Sequence, residues 1–547
     1  LACAALLANY YCYDVSRATA HQPPVRGRGL SACCAAQNPA ALKTQLDQSL
    51  HLDESTFALL YSVYSIPNIV LPFFGGWLVD RLGAAPCVIF FGALLGLGQA
   101  LFAIGASSKS LWLVLAGRVV FGFGGESMTV GASTLLADWF RGKEMAFAMG
   151  CVLAIARLGS VFNNIASPRI AAATSVATAI WAGAILCAAG VASACVLLPL
   201  ERRRAKAAAA ATSINNVVAA EEGNPMDRPL IDGDGAPAKT GNPLRAIGRF
   251  KASFWMLTVG CLAVYGNVLP FNNVASSLLM ERTYFQPTPP GCALTDPDRC
   301  ESPSNPPLPT CPNATDVAPP LPRVADIGGK TYHNLTKDDV VCTDDAWSAA
   351  GACTHVFCAR QAAAEALATE VMSIPYVISA VGTPFIGLAV DRFGGRALLA
   401  ALCPLMLVIA HVLLGFVATL PPELPLVLQG VAFAFFATAL WPSVPYTVPA
   451  ESEGLAFGVV TALQNGGLGL FPLLVSLVYD ASGQRYIPHV ELVFVAFAAA
   501  GLAAGVALNL YDCTHGHQLN RSNYLKAKPA TAGSTIGEQL GSTRGSI

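Results

Sequence analysis

The sequence predicts an all-α membrane protein with twelve transmembrane helices in two six-helix pseudo-repeats. Three observations carry that reading. Of the 547 residues, 54% are hydrophobic and 12% charged, with a mean hydropathy of +0.51, whereas a soluble domain is about 25% charged. Apolar runs of the ~20 residues that cross a bilayer recur along the whole chain. An internal pattern occurs twice: Gly76-Trp77-Leu78-Val79-Asp80-Arg81-Leu82-Gly83 returns 311 positions later as Gly387-Leu388-Ala389-Val390-Asp391-Arg392-Phe393-Gly394. Near the same offset, Ala146-Phe147 is matched by Ala456-Phe457, and Leu158-Gly159 by Leu468-Gly469. Repeated halves of this kind imply a rocking carrier with its site at their interface. The net charge of −1 says nothing about nucleic acid, and no basic stripe suited to it occurs. No nucleophile–base or metal constellation appears in the spans, so neither an enzyme nor a metal or cofactor is expected.

The N-terminal half covers residues 1–200. Leu1 already stands inside an apolar run that ends near Tyr11-Cys12-Tyr13, so the natural N-terminus is expected upstream. Residues 15–37 break the pattern with basic residues, a Pro-Pro pair and glycines, before helical sequence resumes at Asn38-Pro39-Ala40-Ala41-Leu42. Two readings stand for that stretch, a translated intron and a lumenal loop. The second span is expected at about 55–81, the third at 86–106 and the sixth at 174–200, where Glu201-Arg202-Arg203-Arg204 stops it. A polar linker fills 201–250. The C-terminal half, 251–511, opens with a span at 252–280, followed by a Pro- and Cys-rich insert at 283–363. Spans at about 366–390, 397–419, 424–449, 455–479 and 488–511 complete it, and the polar tail 512–547 is expected to be disordered.

The fourth and fifth spans flank a short polar hinge, Trp139-Phe140-Arg141-Gly142-Lys143-Glu144, and each carries one charge, Glu126 and Arg157. The two are equidistant from the hinge. On helices rising ~1.5 Å per residue they reach a similar depth, roughly 23 Å from it. A charge at that depth costs at least ~2.5–3.5 kcal/mol, so each must face protein, water or a partner. One reading is a structural salt bridge. The other is a zwitterion site, in which Glu126 meets an ammonium and Arg157 forks onto a carboxylate, as a planar guanidinium can.

Charge also sets orientation. Arg81, Arg141, Lys143, Arg202, Arg203, Arg204, Arg249, Arg392 and Arg396 fall in loops of one side, which the positive-inside rule makes cytosolic. The insert then faces the opposite, lumenal side. It holds six cysteines (Cys292, Cys300, Cys311, Cys342, Cys353, Cys358) and two glycosylation sequons, at Asn313 and Asn334. An even cysteine count beside sequons suits an oxidising lumen and disulfides of undecided connectivity. Zinc is the weaker reading, because no C-x2-C pair is present.

The repeated G-x3-D-R-x-G, following the second and eighth spans, resembles the signature loop of the major facilitator superfamily. That resemblance implies the major facilitator fold and a gating role for Asp80, Arg81, Asp391 and Arg392. Asp80 would cap a neighbouring helix N-terminus while Arg81 pairs with acids at the cytosolic edge. Gly124-Gly125-Glu126-Ser127, the hinge, Ala156-Arg157-Leu158-Gly159-Ser160, Tyr11-Cys12-Tyr13-Asp14, Leu440-Trp441-Pro442 and Gln464-Asn465 are similar to the lysosomal dipeptide-transporter branch of that superfamily. The large insert departs from the branch, and the sorting signal its N-terminal tail carries is not in this sequence. The branch implies a uniporter in the lysosomal or vacuolar membrane that exports dipeptides from proteolysis, beside a glycosylated single-span accessory protein. It implies that Glu126 holds the peptide amino end and Arg157 its carboxylate. Tyr61, Tyr64, Tyr265, Trp441, Gln464 and Asn465 are further binding candidates, each with helix packing as the alternative. Arg118 stands as a second cation for the carboxylate, a gating residue or an interfacial anchor. A proton-coupled carrier of another small organic acid and a non-transporting sensor or chaperone on the same fold are the competing functions.

Overall fold

The computed structural model describes residues 67–203, 243–287 and 354–522 apart from Lys143, Leu197 and Gln484, together with Lys206 and parts of 316–349. Residues 1–66 lie outside the description, and with them the first span, the 15–37 stretch, Tyr61 and Tyr64.

In the N-terminal half, α1 (Leu71–Leu82), α2 (Ala84–Ser107), α3 (Leu111–Phe140), α4 (Met145–Ala173) and α5 (Val176–Cys195) follow one another through short turns. In the C-terminal half, α6 (Ala252–Leu279) leads through a π-turn, Met280–Tyr284, into the insert. Then come α7 (His355–Val371), α8 (Ile374–Phe393), α9 (Arg396–Phe416), α10 (Glu423–Thr447), α11 (Glu453–Ala481) and α12 (His489–Thr514). Among the described residues, nine helices are long and apolar enough to cross a membrane, α7 and α8 counting together as one of 39 residues. The described helices fall in two halves on either side of the linker, the arrangement of the twelve-helix fold.

The repeated glycines explain where two of these helices stop. Gly83 and Gly394 take positive φ, 89° and 79°. There each amide closes the last turn onto Val79 and Val390, both at 2.8 Å. A residue with a Cβ would be strained in that conformation. Within the N half, α2 and α3 touch backbone to backbone: a Cβ on Gly117 would lie 2.5 Å from the Phe102 nitrogen. Small residues let membrane helices approach that closely. The halves meet where α1 packs on α11 and α4 packs on α8 and α10.

Two expectations change. The insert is shorter than 283–363, because α6 continues to Tyr284 and the next span begins at His355. It carries structure that its Pro- and Cys-rich composition did not indicate: β1 (Val324–Ile327) and β2 (Lys330–His333) pair antiparallel, and Ile327, Trp347, Phe357 and Cys358 form a small core. A hairpin and four apolar side chains give the segment a core of its own. Cys342 and Cys358 are disulfide-bonded, with Cα atoms 5.2 Å apart. Cys292, Cys300, Cys311, Cys353, Asn313 and Asn334 lie outside the described residues. The tail, expected to be disordered from residue 512, is ordered through Ser522. It turns back on itself because Asp512 accepts from the Leu519 and Asn520 amides at 2.8 and 3.1 Å, burying Leu519.

Candidate functional site

The pattern G-x3-D puts its glycine and aspartate one above the other on a single helix face. The two copies use that face identically. Asp80 on α1 accepts from the Gly454 and Leu455 amides at 2.7 and 2.8 Å, at the start of α11 in the opposite half. Asp391 on α8 accepts from the Ala146 and Phe147 amides at 3.1 and 2.9 Å, at the start of α4. Each carboxylate takes two of the four amides a helix N-terminus leaves unsatisfied, at the positive end of its dipole. The glycine one turn earlier makes room. A Cβ on Gly387 would lie 2.6 Å from the Ala146 carbonyl oxygen, and one on Gly76 would fall on the Gly454 carbonyl oxygen.

Further side chains close the same face. Arg141, at the end of α3, pairs with buried Glu453 and donates to the Pro445 carbonyl. The Gly142 amide donates to the Tyr446 hydroxyl at 3.3 Å. Buried Arg396 donates to Asp391 Oδ1 at 3.0 Å and lies over the Tyr446 ring, 4.9 Å from its centroid. Tyr446 therefore sits between the cation of one half and the hinge of the other. Arg81, expected to pair with acids here, is exposed and lies 4.8 Å over the Trp77 ring. The acid goes to Arg141, because Arg81 projects from another side of α1 than Asp80. Arg392 is likewise exposed, over Phe393.

Deeper in, Glu126 is half-buried on α3, fourteen residues before its end, and Arg157 stands on α4, twelve residues after its start. Both positions are about 20 Å along their helices from the hinge. The Arg157 side chain lies outside the description. On the facing half, the Trp441 indole donates to the Tyr265 hydroxyl at 3.1 Å. Trp441 stacks on Phe457, and Tyr265 meets Phe436 edge-on. These two aromatics thus pack in a cluster while keeping part of their surface open. Asn465 donates to the Asn68 carbonyl at 2.9 Å, bridging the halves. Gln464 Oε1 is buried and accepts no hydrogen bond among the described residues. Arg118 is no interfacial anchor: it is 1% exposed, inside the N half against Phe121. The close α2–α3 contact at Gly117 carries it inward. A cavity of about 250 Å³ between α1, α2 and α3 is mostly apolar and rimmed by exposed Phe74, Phe90 and Phe123, and Glu126 does not line it.

Two groups escaped the sequence reading. Glu453 and Tyr446 close the face that the hinge shares with the G-x3-D caps, and the signal was acidic residues at the start of α11 opposite the basic hinge. In the C half, His411 bonds Glu491 Oε2 at 2.8 Å and Asn267 Oδ1 at 2.9 Å, all three fully buried. Asn267 also donates to the Phe494 carbonyl at 2.7 Å. The criterion that singled out Glu126, a charge inside an apolar run, applies equally to Glu491.

A helical membrane carrier of two similar halves, latched at one face by reciprocal helix caps, is the class these features define. The family model described as Major Facilitator Superfamily matches residues 29–283 and 348–532, and the chain belongs to that superfamily. Among curated relatives, the lysosomal dipeptide transporter MFSD1 of Danio rerio is 26% identical over 535 residues, covering 95% of this chain and 88% of that one. The protein of the same name from Homo sapiens is also 26% identical, covering 94% and 85%. Solved structures share the fold at low identity. A major facilitator transporter, FucP, in the outward conformation, has a TM-score of 0.57 at 11% identity, covering 93% of this chain and 97% of that one. The proton:xylose symporter XylE bound to 6-bromo-6-deoxy-D-glucose has a TM-score of 0.55 at 12% identity, covering 92% and 93%.

Proposed function

We propose that this transporter is a dipeptide uniporter of a lysosomal or vacuolar membrane, carrying products of lumenal proteolysis to the cytosol by alternating access. The observation that supports it most is the placement of Glu126 and Arg157 at matching depth on successive helices of one half. A dipeptide is a zwitterion with its charges at fixed ends, and a carboxylate and a guanidinium at one depth match those ends whatever the side chains. The similarity to proteins named lysosomal dipeptide transporters supports the same substrate class and compartment. Tyr265, Trp441 and Gln464 on the facing half are the contacts we assign to the peptide's middle. Asp80, Asp391, Arg141 and Glu453 form the cytosolic gate, which must open for release; Arg81 and Arg392 are its outlying members, and Arg118, on the lumenal side of Glu126, is assigned a gating role there. A glycosylated single-span accessory protein belongs to the reading and is to be sought by co-purification from native membranes.

Flux into proteoliposomes tests it. Dipeptide uptake should saturate and should be unaltered by an imposed pH gradient. Uptake that follows the gradient would replace the uniporter with a proton-coupled carrier. Absence of dipeptide flux, with another organic acid transported, would remove the substrate assignment.

A further inference from the structure

The chain beyond α12 docks on the cytosolic turn between α8 and α9. That turn is Gly394-Gly395, two successive residues at positive φ, 79° and 81°. The matching turn of the N half has the single glycine Gly83, with α2 starting at the next residue. A pair of glycines resists bending less than one, yet this turn separates Asp391, which caps α4, from Arg396, which pairs with it. Residues 515–522 supply what the turn lacks. Asn520 Oδ1 accepts from the Ala397 and Leu398 amides at 3.1 and 3.2 Å, the first turn of α9. The Asn520 carbonyl accepts from the Gly395 amide at 3.0 Å, and Ser522 donates to the Arg392 carbonyl at 2.6 Å. Asn520 is itself held by Asp512 and by a bond to Asn509 Oδ1 at 2.8 Å.

We propose that residues 515–522 are a strap that positions the cytosolic gate: Asn520 fixes the α8–α9 turn so that Asp391 and Arg396 are set to cap α4, and loss of that hold favours the open gate. Asn520 touches no substrate and acts through Asp391. The proposal rests on the alternating-access part of the function above and not on the substrate.

The experiment uses the full chain in lipid without substrate, with spin labels at Leu82 and Lys251, exposed cytosolic positions on opposite halves. Asn520→Ala removes the oxygen that accepts from both amides. It should raise the population at the longer interlabel distance several-fold. Asn520→Asp keeps the accepting oxygen and places a charge at the α9 N-terminus; it loses the donor to Asn509, whose own amide can turn to donate instead, so it should retain the wild-type distribution. If Asn520→Ala lowers thermal stability but leaves the distances unchanged, the strap is only structural and the proposal fails. It fails equally if Asn520→Asp opens the gate as far as Asn520→Ala does, or if neither variant changes anything. Dipeptide flux does not enter the readout, so loss of the substrate assignment would leave this result standing.

Discussion

A carboxylate inside a membrane protein has few ways to be satisfied, and this chain shows three. Asp80 and Asp391 spend their oxygens on helix amides, Glu453 takes a guanidinium, and Glu491 meets an imidazole. The last case fixes a proton. Asn267 points its amide nitrogen at the Phe494 carbonyl, so its oxygen faces His411, and the His411 Nε2 must donate. One proton is then left to lie between His411 Nδ1 and Glu491 Oε2. An amide can make that same bond as donor. Glu491→Gln should therefore cost less than about 1 kcal/mol, within the net worth of one neutral hydrogen bond. Glu491→Ala should cost ~1–3 kcal/mol for the unsatisfied ring nitrogen and more for the cavity. Melting of the detergent-solubilised protein measures both; equal losses would mean the pair is not bonded in this way. At this scale the sequence reveals which residues are costly and conceals their azimuth. Glu126 and Asp80 stand out because a charge interrupts an apolar run. That Arg141 rather than Arg81 reaches Glu453, and that Arg118 turns inward, depends on rotation about a helix axis, which spacing along the chain does not encode.

At the scale of elements, the spans were legible because twenty-odd apolar residues have few other uses; most described helices end within a few residues of the expected limits, but the span expected from about 366 starts at His355. The insert was less so. Its order comes from a hairpin and a handful of apolar contacts, Trp347 and Phe357 among them, too few to show as periodicity. The repeat was visible, but the work of its first residue was not: at Gly76 and Gly387 the other half's backbone comes into direct contact. A methyl there has only main chain to meet, which cannot rotate aside. Gly387→Ala should therefore separate α8 from α4 at the cytosolic face while leaving each half folded. The expected outcome is faster labelling of a cysteine placed at Phe147, compared with the same cysteine beside wild-type Gly387, at a cost of ~1–3 kcal/mol typical of overpacking. Gly76→Ala should do the same at α1 and α11. An unchanged labelling rate would mean that the face does not close through these contacts. The pairing was hidden from the sequence because each glycine meets a segment hundreds of residues away in the other half.

For the whole molecule, the question is whether the two mid-membrane charges read the two ends of one ligand. Arg157→Lys keeps a cation but loses the fork, so dipeptide affinity should fall by roughly 1–3 kcal/mol, the range for a charged hydrogen bond. Glu126 gives the sharper test. The ends of a dipeptide lie further apart than those of a free amino acid by about one extended residue, ~3.3–3.6 Å. A site spanning that length accepts many dipeptides, since it grips ends that all share. Free amino acids cannot reach both charges, and an N-acetylated dipeptide leaves a partly buried carboxylate without its cation, a penalty of several kcal/mol. Replacing Glu126 with Gln removes that penalty along with the attraction. The variant should bind ordinary dipeptides much more weakly and should narrow their advantage over acetylated ones, whose amino end was never charged. If Glu126 merely tied α3 to α4, its loss would lower stability and weaken every ligand by a similar factor. The discriminating quantity is thus the ratio of free to acetylated dipeptide affinity, wild type against Glu126→Gln, measured by ligand-induced thermal stabilisation. A ratio that falls toward one assigns Glu126 to the amino end. A ratio that stays constant returns it to the frame of the N-terminal half and leaves the dipeptide assignment without its electrostatic basis.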